Sequence, residues 1–120
     1  MLADGRDLDP LEREALRSSA VHHVGDIRAL LDAPLTRGPM YVHFDTDVAD
    51  AREVPAMSYP AIGGPTSKIL RGVFTDLAAT GRIVAVSMCA WKPELDHDGR
   101  SRAISMDLLR CLLAGPGPAA

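Results

Sequence analysis

The chain has 120 residues, 47% of them hydrophobic and 4% aromatic, the scale of one small domain with an aliphatic, alanine-rich core. Its 13 basic and 16 acidic residues are well mixed and leave a net charge of −3, so no basic stripe with interleaved aromatics marks a nucleic-acid surface. No apolar run reaches membrane-spanning length and no charged-then-apolar leader is recognisable, so the expectation is a cytoplasmic protein with neither nucleic acid nor membrane as partner. Cys89 and Cys111 lack zinc-type spacing and make no disulfide framework. They read as reduced, small buried hydrophobes.

Taken in order, Met1–Pro10 is too short and too charged to predict a strand. Asp9-Pro10 starts a helix over Pro10–Ser19, with Glu12 and Glu14 in a first turn that favours acids and Leu11, Ala15 and Leu16 as its apolar face. Val21–Val24 is a marginal strand, in which His22 and His23 point opposite ways and read as surface. Asp26 caps a second helix carrying Ile27, Leu30 and Leu31, which Pro34 ends.

The centre of the chain is Met40–Gly64, MYVHFDTDVADAREVPAMSYPAIGG. Its apolar opening, residues 40–44, predicts a strand of a parallel sheet. Two carboxylates one residue apart, Asp45 and Asp47, follow at the strand's carboxyl end, where open α/β sheets place ligands. Two half-buried acids repel each other, and a divalent cation neutralises both. His43 alternates onto the face of Asp45 and is a possible third ligand; its alternative reading is a hydrogen-bonded core histidine. Gly63-Gly64 reads as a tight turn rather than an anion cradle.

Thr66 caps a helix through Ala79 with Ile69, Leu70, Val73, Phe74 and Leu77 inward and Gly81 as its stop. Ile83–Val86 predicts a second, fully buried strand within 82–88. Strand, helix and strand form a β-α-β unit that puts Cys89, Ala90 and Trp91 on the edge of Asp45 and Asp47. Ser87 and Cys89 show no adjacent base at recognisable spacing, which gives nucleophilic catalysis little support. Asp96–Gly99 is a polar turn, and Glu94 lies in a loop of unfixed position. A last helix, Ser101–Ala114, turns Ile104, Leu108, Leu109, Leu112 and Leu113 inward. Residues 1–114 are thus expected to be a single α/β domain, a parallel β-sheet with flanking helices, and residues 115–120 a flexible tail.

The stretch HFDTDVADAREVPAMSYPAIGG resembles, without a gap, the late signature S-F-D-x-D-x-x-D-P-x-x-x-P-x-x-x-x-P-x-x-G-G of the arginase/agmatinase (ureohydrolase) superfamily. Gly5–Pro10 with Glu12 is similar to that family's G-x-R-D-x-D-P-x-E segment, Leu77–Val86 to its strand entry, and Pro93–Asp96 to its NPxLD turn. The resemblance implies a three-layer α/β/α fold, of which this chain would be the C-terminal half. It also implies two manganese ions (Mn2+) that activate water for hydrolysis of a guanidino or amidine C–N bond. Asp45 would be the bridging carboxylate and Asp47 a ligand of one metal. The family's upstream G-G-D-H and D-A-H-x-D ligand segments have no counterpart here. Ala90 stands where the family has a Glu that holds the substrate cation, Ala49-Asp50-Ala51 where it has L-D-P, and His43 where it often has Ser.

With most metal ligands absent, the lone chain is expected to be inactive, as a truncated remnant or as a half completed by another chain. Self-association or such a complementing chain would cover the bare sheet edge. Two alternatives stay open. One is a non-catalytic binding or oligomerisation module in which Asp45 and Asp47 are structural. The other is a toprim-like phosphotransfer domain, which calls for basic residues and a further upstream acid.

Overall fold

The computed structural model describes residues 1–116, so the expected tail beyond Pro116 lies outside the described residues. Its strands are β1 (Leu2–Ala3), β2 (His23–Val24), β3 (Met40–Asp45) and β4 (Ile83–Cys89), and its helices are α1 (Pro10–Ser18), α2 (Ser67–Ala79) and α3 (Arg100–Leu113). β1 pairs with β2 and β3 with β4, both in parallel. The parallel α/β organisation is therefore as expected. Leu2–Ala3 is a strand after all, because the Leu2 amide donates to His22 O and the Asp4 amide to Val24 O.

Local chemistry accounts for the helix starts. Asp9 caps α1 in a reciprocal box with Glu12: the Glu12 amide donates to Asp9 Oδ1 at 2.8 Å and the Asp9 amide to Glu12 Oε2 at 2.9 Å. The apolar face expected of α1 is not buried: Leu11 is 81% exposed, Ala15 is exposed and Leu16 is half-buried. The second expected helix is a 3-10 segment, Ile27–Asp32, whose six residues bury Ile27 and Leu30. At the start of α2, Ser67 N donates to Glu53 Oε2 at 2.7 Å and Ile69 N to Thr66 Oγ1.

The core lies on one face of the β3–β4 pair. Met40 and Phe44 are buried there with Leu70, Val73, Phe74 and Leu77 of α2 and Leu108 and Leu112 of α3, and Val42, Val86 and Met88 pack against them. Phe44 meets Phe74 edge to face, with ring centroids 5.1 Å apart. α3 turns Ile104, Leu108 and Leu112 inward as expected, but not Leu113. Leu113 is exposed, while Ser101 and Ser105 occupy the inward stripe with Leu108 and Leu112. Ser101 tolerates burial because its Oγ accepts from the Ala56 amide at 3.0 Å.

β4 is not fully buried: Val84 and Ala85 are exposed, as is Tyr41 on β3. Among the described residues no strand pairs with the outer edge of either β3 or β4, and the sheet face opposite the core is open, with Tyr41, His43 and Cys89 exposed on it. The long segment after β3 is firmly packed. Ala49, Val54, Ala56 and Met57 are buried, and the Asp50 amide donates to Pro65 O. Gly64 permits this packing, since a Cβ there would stand 2.6 Å from the Ala49 and Val48 backbone. Gly115, the start of the expected tail, lies against Ala78 at the end of α2. Among the described residues no helix is long and apolar enough to cross a membrane.

Candidate metal centre

β3 brings three polar side chains to the open face in alternation: Tyr41, His43 and Asp45. The register of the parallel pair sets Ser87 beside His43 and Cys89 beside Asp45. Ligand atoms of His43, Asp45 and Cys89 lie within 4.8 Å of one another. His43 Nε2 is 3.4 Å from Cys89 Sγ, its Nδ1 is 2.7 Å from Ser87 Oγ, and Ser87 Oγ is 2.6 Å from Tyr41 Oη.

His43 therefore shares the face of Asp45, as its alternation predicts, and is exposed rather than a core residue. Cys89 is also exposed, which corrects its reading as a small buried hydrophobe. The two residues thought to lack a base, Ser87 and Cys89, both touch the His43 ring. Sequence spacing hides that contact because His43 and Cys89 meet across a strand pair, and pairing β3 with β4 in register is the only signal that reveals it.

Asp47 sits one step beyond, in the turn Thr46–Val48, where its amide donates to Asp45 Oδ1 at 3.3 Å. Burial, then the neighbouring Asp45 carboxylate, push its carboxyl up to about 6. Burial and Asp45 likewise raise the Cys89 thiol above its ordinary value. The nearby cation, Arg6, relieves this crowding only in part. The Arg6 guanidinium donates to Asp4 Oδ2 at 2.6 Å, to Asp47 O at 2.7 Å, to Val48 O at 3.0 Å and to Ala61 O at 3.2 Å. It pins the backbone of the turn and makes no salt bridge to the Asp47 carboxylate. Asp45 and Asp47 are thus adjacent hard oxygen donors whose charges are only partly offset, a donor set suited to manganese or a similar cation.

Asp7 also lies near enough to push the Asp47 carboxyl up, whereas the other polar residues singled out in the sequence are elsewhere. His22 and His23 are exposed, with His23 Nε2 2.6 Å from Asp4 O. Glu94 is exposed and outside the cluster. Asp96 caps α3, accepting from the Ser101 and Arg102 amides and from the Trp91 indole N–H, which makes residues 96–99 the polar turn expected. Ala90 follows Cys89 in the left-handed region, at φ +69°.

Parallel strands backed by helices, with chemistry gathered past their carboxyl ends, define an α/β protein of the ligand-at-strand-end class. The model of the arginase family matches residues 9–115, and the chain belongs to that family. The arginase of Brucella melitensis biotype 1 is 31% identical over 121 residues, covering 90% of this chain and 39% of that protein. A formimidoylglutamase from Klebsiella pneumoniae is 38% identical over 61 residues, covering 51% of this chain and 19% of that protein. Arginase from Bacillus subtilis superposes with a TM-score of 0.81 at 20% identity, over 92% of this chain and 44% of that one. Trypanosoma cruzi formiminoglutamase, solved with Mn2+, gives 0.80 at 21% identity, over 96% and 43%. These superpositions show the fold. The chain spans about two fifths of the length of the Brucella arginase.

Proposed function

We propose that residues 1–114 form one arginase-type unit that contributes the carboxylates of a manganese-dependent C–N hydrolase. The observation that supports this most is the carboxylate pair of β3: Asp45 and Asp47 crowd each other, and the Asp47 carboxyl is pushed up to about 6. In this reading Asp45 and Asp47 would be the residues of this chain that hold manganese. Manganese bound there would supply a nucleophilic water at neutral pH. Arg6 holds the turn that carries Asp47, and the core packing of Phe44 aims Asp45 at the open face.

Two carboxylates are too few ligands for a tight binuclear site. The 120-residue chain alone therefore does not turn over arginine, agmatine or guanidinobutyrate. Catalysis requires further ligands from outside it, in the same or another polypeptide. Ala90 offers a methyl where a substrate cation would need a carboxylate, so the family's contact for a guanidinium group is missing from this chain. The open sheet face, with Tyr41 exposed on it, favours self-association or a complementing chain. A clean monomer in sedimentation velocity would refute self-association.

The test is thermal unfolding against a manganese titration, for wild type and for Asp45→Asn/Asp47→Asn. Manganese at about 100 times its dissociation constant adds roughly 2.7 kcal/mol of stability. A rise in Tm that the double variant loses is the expected result. No shift at millimolar manganese would overturn the reading and leave the alternative, a non-catalytic module in which both acids are structural.

A further inference from the structure

The carboxylate pair accounts for Asp45 and Asp47 but leaves His43, Cys89, Ser87 and Tyr41 without a role. These four are not a random polar patch, because each is placed by strand register on one face of β3–β4. We propose that His43, Asp45 and Cys89 form a binding site for a thiophilic divalent cation of the zinc or cobalt class.

The donor set decides the class. Imidazole, carboxylate and thiolate together suit zinc, whereas manganese prefers all-oxygen or oxygen-rich sites. The geometry agrees. Around a tetrahedral zinc a thiolate sulfur and an imidazole nitrogen lie about 3.6 Å apart, and Cys89 Sγ and His43 Nε2 are 3.4 Å apart. All three ligand atoms fall within 4.8 Å of each other, so small side-chain rotations close them on one ion.

The histidine is also supported from behind. With its proton on Nδ1, His43 donates to Ser87 Oγ at 2.7 Å, and Tyr41 Oη lies 2.6 Å from the same oxygen. That arrangement leaves the Nε2 lone pair directed at the sulfur. A second partner that fixes tautomer and ring orientation is the usual companion of a metal-bound histidine. The site shares Asp45 with the manganese reading but does not depend on Asp47, so the two readings fail separately.

The test is a cobalt titration of the reduced 120-residue chain, followed by thiolate-to-cobalt charge-transfer absorption in the near ultraviolet, with zinc displacing the cobalt. The expected result is a charge-transfer band that Cys89→Ser abolishes, that Cys111→Ser retains, and that Asp47→Asn retains. Ser87→Ala keeps the band but weakens cobalt about 10- to 100-fold. Far-ultraviolet circular dichroism confirms that each variant is folded, and His43→Gln provides an independent loss of ligation at an exposed position. Absence of the band in wild type, or its survival in Cys89→Ser, overturns the proposal: the sulfur–nitrogen contact is then only an S–H···N hydrogen bond. A cobalt band without any manganese stabilisation sinks the manganese reading alone. Manganese stabilisation without the band sinks this one alone.

Discussion

Replacing Asp47 by Asn should change the protein in opposite directions with and without metal. In the metal-free fold the Asp47 carboxyl titrates at about 6 instead of 3.8, through burial and through Asp45. Because the folded-state pKa is the higher one, the native state holds this proton more tightly than the unfolded chain. The group's contribution is fully favourable below about pH 4 and is lost as pH rises to about 6. A rise of that size corresponds to about 3 kcal/mol as a ceiling. Asp47 is only half-buried, and solvent screening reduces that to about 1 kcal/mol.

Asn keeps the backbone carbonyl that Arg6 holds and the amide that donates to Asp45, so the charge is the main thing removed. Metal-free Asp47→Asn is therefore expected to melt about 3–5 °C above wild type at pH 7 and at the same temperature at pH 4. With manganese the order reverses, since the variant loses the metal's stabilisation. Differential scanning calorimetry at the two pH values, with chelator and with manganese, reads all four numbers. A metal-free variant less stable than wild type at pH 7, or a difference that persists at pH 4, would refute the account of a charge-crowded pocket.

Three further outcomes follow from the same geometry. Arg6→Leu strands the buried Asp4 carboxylate and three carbonyls, and should lower stability in urea denaturation by about 3–5 kcal/mol, with Lys restoring part of it. Gly64→Ala drives a Cβ to 2.6 Å from the Ala49 and Val48 backbone; it should cost about 1–3 kcal/mol and weaken manganese in calorimetric titration, because the displaced stretch of chain carries the Asp47 turn. Ala90→Gly relieves a left-handed conformation at φ +69° and should raise stability in the same urea assay by about 1 kcal/mol, with the cobalt band unchanged.

The elements with periodic apolar patterns were legible in the sequence. α2 and β3 were so because Leu70, Val73, Phe74 and Leu77, and Met40 and Phe44, face one common core. Elements whose form depends on a neighbour were not. Leu2–Ala3 is a strand only because His22 and Val24 accept its hydrogen bonds. Ser101 turns inward because of the Ala56 amide, 45 residues away. β4 reads as buried on both faces from its Ile-Val-Ala-Val run, yet one face is open. At the site, Asp45 and Asp47 declare themselves as neighbours in sequence. Cys89 does not, since its meaning comes from the histidine across the strand pair.

That strand pair also explains why the site and the core cannot be specified independently. Side chains alternate with period two, so a slip of one residue in the placement of β3 would carry Asp45 and His43 to the buried face and Phe44 to solvent. The edge-to-face packing of Phe44 on Phe74 resists that slip, because burying a carboxylate and an imidazole among aliphatic side chains while exposing a phenyl ring is doubly unfavourable. The parallel register then transmits the choice to β4, where Val86 and Met88 follow Phe44 inward and Ser87 and Cys89 follow His43 and Asp45 outward. Placement of His43, Asp45 and Cys89 on the open face is in this sense a consequence of aliphatic packing on the far side of the sheet. A core substitution such as Phe44→Ala, on the face opposite the ligand atoms, should therefore loosen metal binding as well as stability.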